Sequence, residues 1–395
     1  MGSMTIKDIA KICGVGVSTV SRAMNNHPDI NPETKEMIKQ VMKEHNYVPN
    51  NSARNLKRTA SKTIAVLVKG VANPFFRKMI KILEQEITAR KYSFILQGVE
   101  ETENEAEIAL HLAKEKKLKG IIFLGGTIIH PEDCLENLDV PFVLSTTPVY
   151  EAEEDEEESG IGWKVEEQSD SLKKTVKTAD KMPDNPSDND KKESKETEKK
   201  NMVYATVSVD DRKESYKIVQ YLCSLGHKKI GLLTARADDL SIGLLRGRGY
   251  LDALSDNGIP YDESLVVYMS DDMETYSMQT GYDMMNRLLD RRQDFTAVYA
   301  VSDAVAIGAC RAIFDRGYSV PEDFSVAGFD GLDAAHYYHP SITTISQPVE
   351  EMAKETIELL FQLIKKKKGK KYCVFEGVLE EGESTAGIAG EKKTE

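Results

Sequence analysis

The sequence lacks the features that define several protein classes. It contains only five cysteines, none closely spaced (positions 13, 134, 223, 310 and 373). This excludes a disulfide framework and a cysteine-based zinc cluster. No apolar run reaches the roughly 18 residues of a membrane-spanning helix, and the first ten residues hold no apolar secretory core. We therefore expect a cytoplasmic protein that does not bind a membrane.

The short motifs of common enzyme classes are also missing. The chain has no G-x-x-x-x-G-K-[S/T] phosphate loop, no H-E-x-x-H zinc motif and no G-x-S-x-G nucleophile elbow. No G-x-G-x-x-G segment follows the first predicted strand, and the seven histidines are scattered. We therefore predict no catalytic residue, no metal and no cofactor.

Negative charge predominates in the chain as a whole but not in its first part. The formal net charge is -13, yet residues 1–62 carry ten Lys and Arg against five Asp and Glu. A small basic N-terminal module therefore precedes an acidic body. This asymmetry predicts an anionic partner for the N-terminus alone.

The segment 151–201 differs in composition from its surroundings. Residues 151–200 carry seventeen Asp and Glu against ten Lys and Arg, and apolar residues are few after position 168. Such a chain repels itself and cannot bury an apolar face, so we predict a disordered insertion. A regulatory tether or a docking segment is the alternative.

Helical periodicity organises the N-terminal module. Four apolar residues lie on one face of a first helix (Ile6, Ile9, Ala10 and Cys13). Thr5 and Asp8 have the spacing of a capping interaction, and Gly14 is a helix stop. A second helix is predicted over 17–24 after a short turn, which makes a helix-turn-helix. A third begins near Pro32, and it should turn three apolar residues inward (Met37, Ile38 and Val41).

The second helix begins with short side chains of the kind that reach base edges in the major groove of DNA. We predict DNA contacts from this helix (Val17, Ser18, Thr19, Ser21 and Arg22). The alternative is a three-helix bundle without DNA activity.

After residue 61 the pattern alternates between apolar strands and amphipathic helices. Strands are predicted at 63–68, 92–96, 120–124, 142–144, 204–209, 229–234, 264–268, 296–300 and 324–328. Helices are predicted at 74–90, 103–117, 211–225, 243–257, 277–290, 303–316 and 349–366. Continuous apolar strands between such helices predict an α/β fold with parallel sheets. Two sets of them predict two lobes, with a ligand cleft at the carboxyl ends of the strands.

Many short segments, in order along the chain, resemble the LacI/GalR repressor family. The N-terminal ones are 5–10, 14–15, 17–22 and 47–50, and those of the body include 72–76, 209–211, 225–230, 302–303, 328–330 and 340–345. The resemblance implies a type I periplasmic-binding-protein core preceded by a small all-α helix-turn-helix domain. It divides the chain into a DNA-binding domain (1–48), a hinge helix (49–60), a two-lobed core (61–386) and a tail (387–395).

The resemblance also implies further DNA contacts. They come from the headpiece (Thr5, Asn25 and Thr34) and from the hinge (Asn50, Ala53, Arg54, Leu56 and Lys57). In the family, a leucine at the position of Leu56 wedges between base steps in the minor groove, and such wedges kink the duplex. One departure is Gly16, where the family usually has a serine cap; glycine is a tolerable cap.

The positions that match the family's effector pocket combine aromatic, charged and polar side chains. They are Asn73, Phe75, Phe76, Thr146, Arg246, Tyr276 and Asp303. Aromatic faces stack on a sugar or base, and charged groups bind hydroxyls. Alternatively, the two phenylalanines are ordinary core residues, and Arg246 and Asp303 form structural ion pairs. Thr146 stands where the family commonly has an aspartate, so the effector is expected to differ from a common hexose, or the insertion reshapes the rim.

The resemblance implies a transcription repressor that binds a pseudo-palindromic operator in double-stranded DNA as a homodimer. A small metabolite, expected to be a sugar, would bind in the cleft and change the affinity for DNA. A solute-binding sensor without DNA activity is the alternative, and a sugar-acting enzyme is the third.

Replacing the wedge residue tests the hinge prediction. Leu56→Ala should weaken binding to a specific operator more than binding to random duplex DNA, because only the kinked specific complex uses the wedge. Gel-shift titration on both duplexes measures this. Equal losses on the two would count against a wedge at Leu56.

Overall fold

The computed structural model describes residues 5–24, 29–45, 62–100, 102–126, 128, 134–147, 204–237, 242–366 and 372–388. The chain divides into two compact units, residues 1–61 and 62–395. The predicted insertion at 151–201, the predicted hinge at 49–60 and tail residues 389–395 lie outside the described residues.

The first unit contains three short helices: α1 (Ile6–Ile12), α2 (Val17–Met24) and α3 (Pro32–Glu44). The predicted capping box at the start of α1 is present, with the Asp8 amide donating to Thr5 Oγ1 at 3.4 Å and the Thr5 amide donating to Asp8 Oδ2 at 2.9 Å. The chain turns at Gly14, whose φ of 63° is left-handed and suits glycine. This turn sets α2 against α1.

Five buried side chains form the core of the first unit: Ile9, Ala10, Val20, Ala23 and Ile38. The prediction that Met37 also points inward is wrong, because 41% of its surface is exposed. Ile38 and Val41 occupy the inward face of α3, with Val41 partly buried. Met37 lies one helical turn before Val41. The core of so small a unit is contacted by only a narrow stripe of α3, and Met37 lies outside that stripe.

The second unit begins with a lobe built on a six-stranded parallel sheet. Its order is β2 (Ser93–Val99), β1 (Thr63–Lys69), β3 (Gly120–Leu124), β4 (Phe142–Ser145), β5 (Tyr204–Val209) and β11 (Tyr372–Phe375). Alternate residues of the central strands point to opposite faces: Ile64, Val66 and Val68 belong to one core cluster, and Ala65 and Leu67 to another. Both faces are therefore covered, as the uninterrupted apolar strands predicted.

Helices cover the two faces of this first-lobe sheet. One face carries α4 (Pro74–Ala89) and α11 (Val349–Ile364), and the other carries α5 (Glu105–Lys116). Asn73 caps α4 and Pro74 occupies its first turn, where a missing N–H costs nothing. The cap fixes where the chain leaves β1 and enters the helix.

The second lobe is built on a four-stranded parallel sheet. Its order is β7 (Val266–Tyr268), β6 (Ile230–Thr234), β8 (Ala297–Ala300) and β9 (Ser325–Ala327). The helices of this lobe are α6 (Asp211–Ser224), α7 (Ile242–Asp256), α8 (Met278–Arg291), α9 (Asp303–Asp315) and α10 (Asp333–Tyr337). A single large cluster of buried residues fills this lobe.

The chain passes between the lobes three times. The first crossover joins β5 to α6, the second joins β10 (Thr344–Ser346) to α11, and the third joins β11 to β12 (Val378–Glu380). Strands β10 and β12 pair antiparallel beside the second lobe. Residues at or beyond the carboxyl ends of strands in both lobes line a common cleft.

The α/β architecture with parallel sheets and a small helical N-terminal unit confirms the predicted fold class. The prediction of a strand over 264–268 is partly wrong: Glu263–Leu265 is a single 3-10 turn, because Asp262 accepts a hydrogen bond from the Ser264 amide and so favours a turn. The short elements β10, β11, β12 and α10 were not predicted, because three to five residues carry too little periodicity.

No helix in the described ranges is long and apolar enough to cross a membrane.

Two glycines allow α8 and α9 to cross closely. A Cβ on Gly308 would lie 1.9 Å from the Met278 carbonyl oxygen, and one on Gly281 would lie 2.1 Å from the Val305 carbonyl oxygen. Gly308→Ala should therefore force the helices apart and lower the free energy of unfolding by roughly 1–3 kcal/mol. Denaturant titration measures the change.

Gly98→Ala is the matched control, because its added Cβ would meet only Val71, at 3.8 Å. It should leave the unfolding midpoint nearly unchanged. If Gly308→Ala unfolds at the same midpoint as this control, the helices do not cross as closely as described.

Candidate effector pocket and DNA-contact helix

A pocket lies between the two lobes of the second unit, at the carboxyl ends of their strands. It contains about 350 Å³ of empty space, part of it open to solvent. The first lobe lines it with Asn73, Phe75, Phe76, Thr146 and Val209. The second lobe and the crossovers line it with Asp211, Ile242, Arg246, Tyr276, Asp330 and Gln347.

The first-lobe wall is mainly aromatic. Asn73 Oδ1 accepts a hydrogen bond from the Phe75 amide at 3.0 Å, which holds the start of α4 at the cleft. The rings of Phe75 and Phe76 meet edge to face with centroids 5.6 Å apart, and each is only 5% exposed. Both side chains belong to the first-lobe core and also line the pocket. The interpretation of the two phenylalanines as core residues is therefore compatible with a role in the pocket.

Thr146 follows β4 in an unusual backbone conformation. Its φ is 58°, in the left-handed region that β-branched residues rarely adopt. Its hydroxyl donates to the Ser145 carbonyl oxygen at 2.6 Å and accepts from the Gly125 amide at 3.0 Å. The hydroxyl therefore holds the loop ends of β3 and β4 together.

Backbone strain is concentrated at this pocket. The described residues include six non-glycine residues with left-handed φ, and three of them line the pocket: Thr146, Tyr276 and Asp330. Such conformations cost free energy and persist where the surrounding structure fixes them, often at ligand sites. This supports a binding role for the pocket.

Arg246 lies at the centre of the second-lobe wall. Its guanidinium is 2% exposed; Nε donates to Asp211 Oδ1 at 2.8 Å, and Nη1 donates to the Val301 carbonyl oxygen at 2.6 Å. Asp330 Oδ1 lies 3.2 Å from Nη1, and the guanidinium stacks 3.7 Å from the centroid of the Phe329 ring. Burial lowers the pKa of Arg246, but the charges of Asp330 and Asp211 outweigh it and raise the pKa, so the group remains a cation.

The carboxylates around Arg246 pay a desolvation penalty. Burial raises the pKa of Asp330 to about 6, although Arg246 and a 2.9 Å hydrogen bond from Gln347 Nε2 act in the opposite direction. Burial likewise raises the pKa of Asp211 against the effect of Arg246. The two carboxylates share one guanidinium, so neither is fully compensated.

Asp303, predicted from the sequence as an effector ligand, is fully buried and does not line the pocket. Its carboxylate accepts hydrogen bonds from Thr344 Oγ1 at 2.6 Å and from the Leu332 amide at 2.7 Å. Burial, with the nearby charge of Asp330, raises its pKa well above the ordinary value. Asp303 therefore joins the start of α9 to the segments that follow β9 and precede β10.

The structure brings together six of the seven predicted effector residues: Asn73, Phe75, Phe76, Thr146, Arg246 and Tyr276. Sequence analysis missed the other five lining residues: Val209, Asp211, Ile242, Asp330 and Gln347. A local signal was available for Asp211 and Asp330, since each carboxylate follows an apolar strand at its carboxyl end.

The predicted DNA-contact residues of α2 lie mostly at the surface of the first unit. Val17, Ser18 and Arg22 are exposed, while Thr19 and Ser21 are half-buried. The opposite face of α2 is fixed in the core by Val20 and Ala23. Among the other predicted contacts, Thr5 is exposed and Thr34 is half-buried; Asn25, Asn50, Ala53, Arg54, Leu56 and Lys57 lie outside the described residues.

Two family models match the chain. One, of bacterial regulatory proteins of the lacI family, matches residues 5–50, and one of a periplasmic binding protein-like domain matches residues 219–385. The HTH-type transcriptional regulator MalR of Clostridium butyricum is 38% identical over 388 residues, which cover 98% of this chain and 100% of that protein. The similarity therefore extends over both units.

Solved structures share the fold. The complex of the transcriptional regulator CelR with cellobiose aligns with a TM-score of 0.59 and 26% identity, over 96% of this chain and 99% of that one. A lac repressor dimer bound to operator and the anti-inducer ONPF aligns with a TM-score of 0.65 and 22% identity, over 98% and 100%.

The raised pKa of Asp330 predicts a pH-dependent stability. The pKa of Asp330 is about 6 in the folded state, above the ordinary value of 3.8. Between these pH values the folded state therefore binds more protons than the unfolded state. The contribution of Asp330 to stability consequently falls as the pH rises through this range. Asp330→Asn removes this loss. Its free energy of unfolding relative to wild type should therefore rise by on the order of 1–3 kcal/mol between pH 4 and pH 6.5.

Denaturant titration at several pH values checks this trend. Asp333→Asn, at an exposed position on α10, is the control and should show no such trend. A pH-independent difference between Asp330→Asn and wild type would contradict the raised pKa.

Proposed function

The chain belongs to the LacI family of bacterial regulatory proteins, and from that premise we propose that it is a repressor that binds a pseudo-palindromic operator as a homodimer and responds to a sugar in its interlobe pocket. As a member of this family it is a DNA-binding transcriptional regulator and not an enzyme. The operator, the dimer and the effector are the parts proposed.

The main structural support for DNA binding is that α2 has one face buried in the core and one face exposed at the surface. Val20 and Ala23 anchor one face in the core, while Val17, Ser18 and Arg22 are exposed at the surface. A helix held this rigidly can present its first turns to the major groove, where Arg donates to guanine and short hydroxyl side chains contact either base of a pair.

The composition of the pocket supports a sugar as the effector. Phe75 and Phe76 offer an apolar surface for the face of a ring, and Asp211 and Asp330 offer acceptors for hydroxyl groups. The solved CelR structure of the same fold is described as a complex with cellobiose. A saccharide therefore fits the chemistry of the pocket and agrees with the ligand of the CelR structure.

The position of the pocket supports allosteric control. It is lined from both lobes, so a ligand that touches both walls favours one relative arrangement of the lobes over others. A two-fold symmetric dimer would bring two copies of α2 to two half-sites of a palindromic operator. The lac repressor structure of the same fold is described as a dimer bound to operator.

Substitution of Arg22 tests the DNA-contact surface. Arg22→Ala should weaken binding to operator duplexes selected from a random pool by about ten- to a hundredfold, the effect of losing one base contact. Binding to random duplex should fall much less, because at most one phosphate contact is lost there. Fluorescence anisotropy at fixed salt concentration measures both affinities.

Lys39→Ala is the control: Lys39 is an exposed cation on α3, outside the predicted contact surface, and pairs with Glu36 at 2.8 Å. It should affect both duplexes little and equally. If Arg22→Ala weakens operator and random duplex by the same factor, Arg22 does not contribute to sequence recognition. Failure to select any specific duplex would contradict the proposed operator binding altogether.

A further inference from the structure

We propose that the interlobe pocket accepts an uncharged, hydroxyl-rich ring and rejects its phosphorylated form, with Thr146 as a specificity-determining residue on the first-lobe side. This inference rests on the proposed sugar effector and adds the charge and the orientation of that ligand. It depends on how the hydrogen-bonding capacity of the pocket is divided between its two walls.

The first-lobe wall has little hydrogen-bond accepting capacity left for a ligand. The Thr146 hydroxyl has one proton, donated to the Ser145 carbonyl oxygen, and two lone pairs, one of which accepts from the Gly125 amide. It can therefore accept one more hydrogen bond and donate none. The carboxamide oxygen of Asn73 caps α4 through the Phe75 amide, and its Nδ2 group can donate hydrogen bonds but cannot accept them. With Phe75, Phe76 and Val209, this wall favours the C–H face of a ring.

The second-lobe wall is anionic. Its lining residues include two carboxylates, Asp211 and Asp330, and one guanidinium, Arg246. The Gln347 carboxamide adds no charge. A phosphate at this wall would meet a net negative charge.

Arg246 is already engaged by the protein. Its Nε donates to Asp211, and its Nη1 lies within hydrogen-bonding distance of the Val301 carbonyl oxygen and of Asp330. A phosphate site needs cations or amides that are not committed to internal anions. The charge of Arg246 is already balanced by two internal carboxylates, so a phosphate would bring a third anionic group to a single cation and weaken the compensation of Asp211 and Asp330.

The carboxylates instead suit hydroxyl groups. Ionised Asp211 and Asp330 can only accept hydrogen bonds, and a sugar hydroxyl is a donor. A neutral ring can therefore place its hydroxyl edge toward Asp211 and Asp330 and its apolar face toward Phe75, Phe76 and Thr146.

Matched pairs of ligands test the charge preference. The intact protein is screened at pH 7.5 by thermal shift and calorimetry with ribose, glucose, maltose and cellobiose, and with ribose 5-phosphate, glucose 6-phosphate, maltose 6′-phosphate and cellobiose 6′-phosphate. A neutral saccharide that binds should raise the Tm. Its phosphorylated form should bind at least about tenfold more weakly, because like charges oppose it.

Two outcomes would overturn the inference, and they are distinguishable. A phosphorylated sugar that binds as tightly as its neutral form, or more tightly, overturns the charge preference and leaves the proposed sugar effector standing. A screen in which no saccharide of either kind binds overturns this inference and the proposed sugar effector together.

Variants at Thr146 test its part in specificity. Aspartate and asparagine tolerate the left-handed backbone of this position, so Thr146→Asp and Thr146→Asn should both fold. Thr146→Asp adds a carboxylate to the first-lobe wall and should change the ratio of affinities among the neutral sugars by about tenfold or more, since a site that gains a hydroxyl acceptor favours ligands with a hydroxyl there. Thr146→Asn separates the effect of shape from that of charge.

Thr147→Ser is the control, because the adjacent Thr147 is buried but does not line the pocket. It should preserve the wild-type order of affinities. If Thr146→Asp folds with an unchanged apo Tm and preserves that order as well, Thr146 does not determine specificity.

Discussion

The guanidinium of Arg246 is the interaction on which the second unit depends most. It is buried and forms ion pairs with two carboxylates. One is Asp211, where the first crossover enters α6, and the other is Asp330, which follows β9. Removing one partner of a buried ion pair leaves an uncompensated charge, which costs about 3–5 kcal/mol. The cluster therefore fixes where the first crossover, α7 and the carboxyl end of β9 meet, and with them the second-lobe wall of the pocket.

The two walls of the pocket consequently have different physical roles. The second-lobe wall is polar, and its hydrogen bonds are organised before any ligand arrives, through Arg246, Gln347 and the strained backbone of Asp330. The first-lobe wall is apolar and is held by the cap of α4 and by the Thr146 hydroxyl. A ligand that satisfies both walls gains polar contacts on one side and apolar contacts on the other, so its binding free energy depends on the separation of the lobes.

Much of this arrangement could be predicted from the sequence. The features that could not be predicted have identifiable physical causes. Continuous apolar strands such as β1 are a local signal, and the predicted α/β fold was confirmed. Arg246 was selected because its position matches the family's effector pocket, and it lies within α7 and lines the pocket. The partners of Arg246 were not predicted, because only the tertiary fold decides which strand-end carboxylates meet. Asp303 was selected in the same way as Arg246 but is directed into the interior by hydrogen bonds from Thr344 and Leu332. The left-handed backbone of Thr146 is likewise not encoded by its residue type, since β-branched residues normally avoid it.

The proposed regulation requires that the pocket and the DNA-contact helix are coupled in one molecule. Linkage requires that a saccharide and an operator duplex change each other's affinity by the same factor, which is about 5- to 150-fold in typical allosteric proteins. Calorimetric titration of a bound saccharide with and without saturating operator, together with titration of the operator with and without saturating saccharide, measures both factors. We expect two equal factors that differ from one. A saccharide Kd that is the same with and without operator would contradict the account.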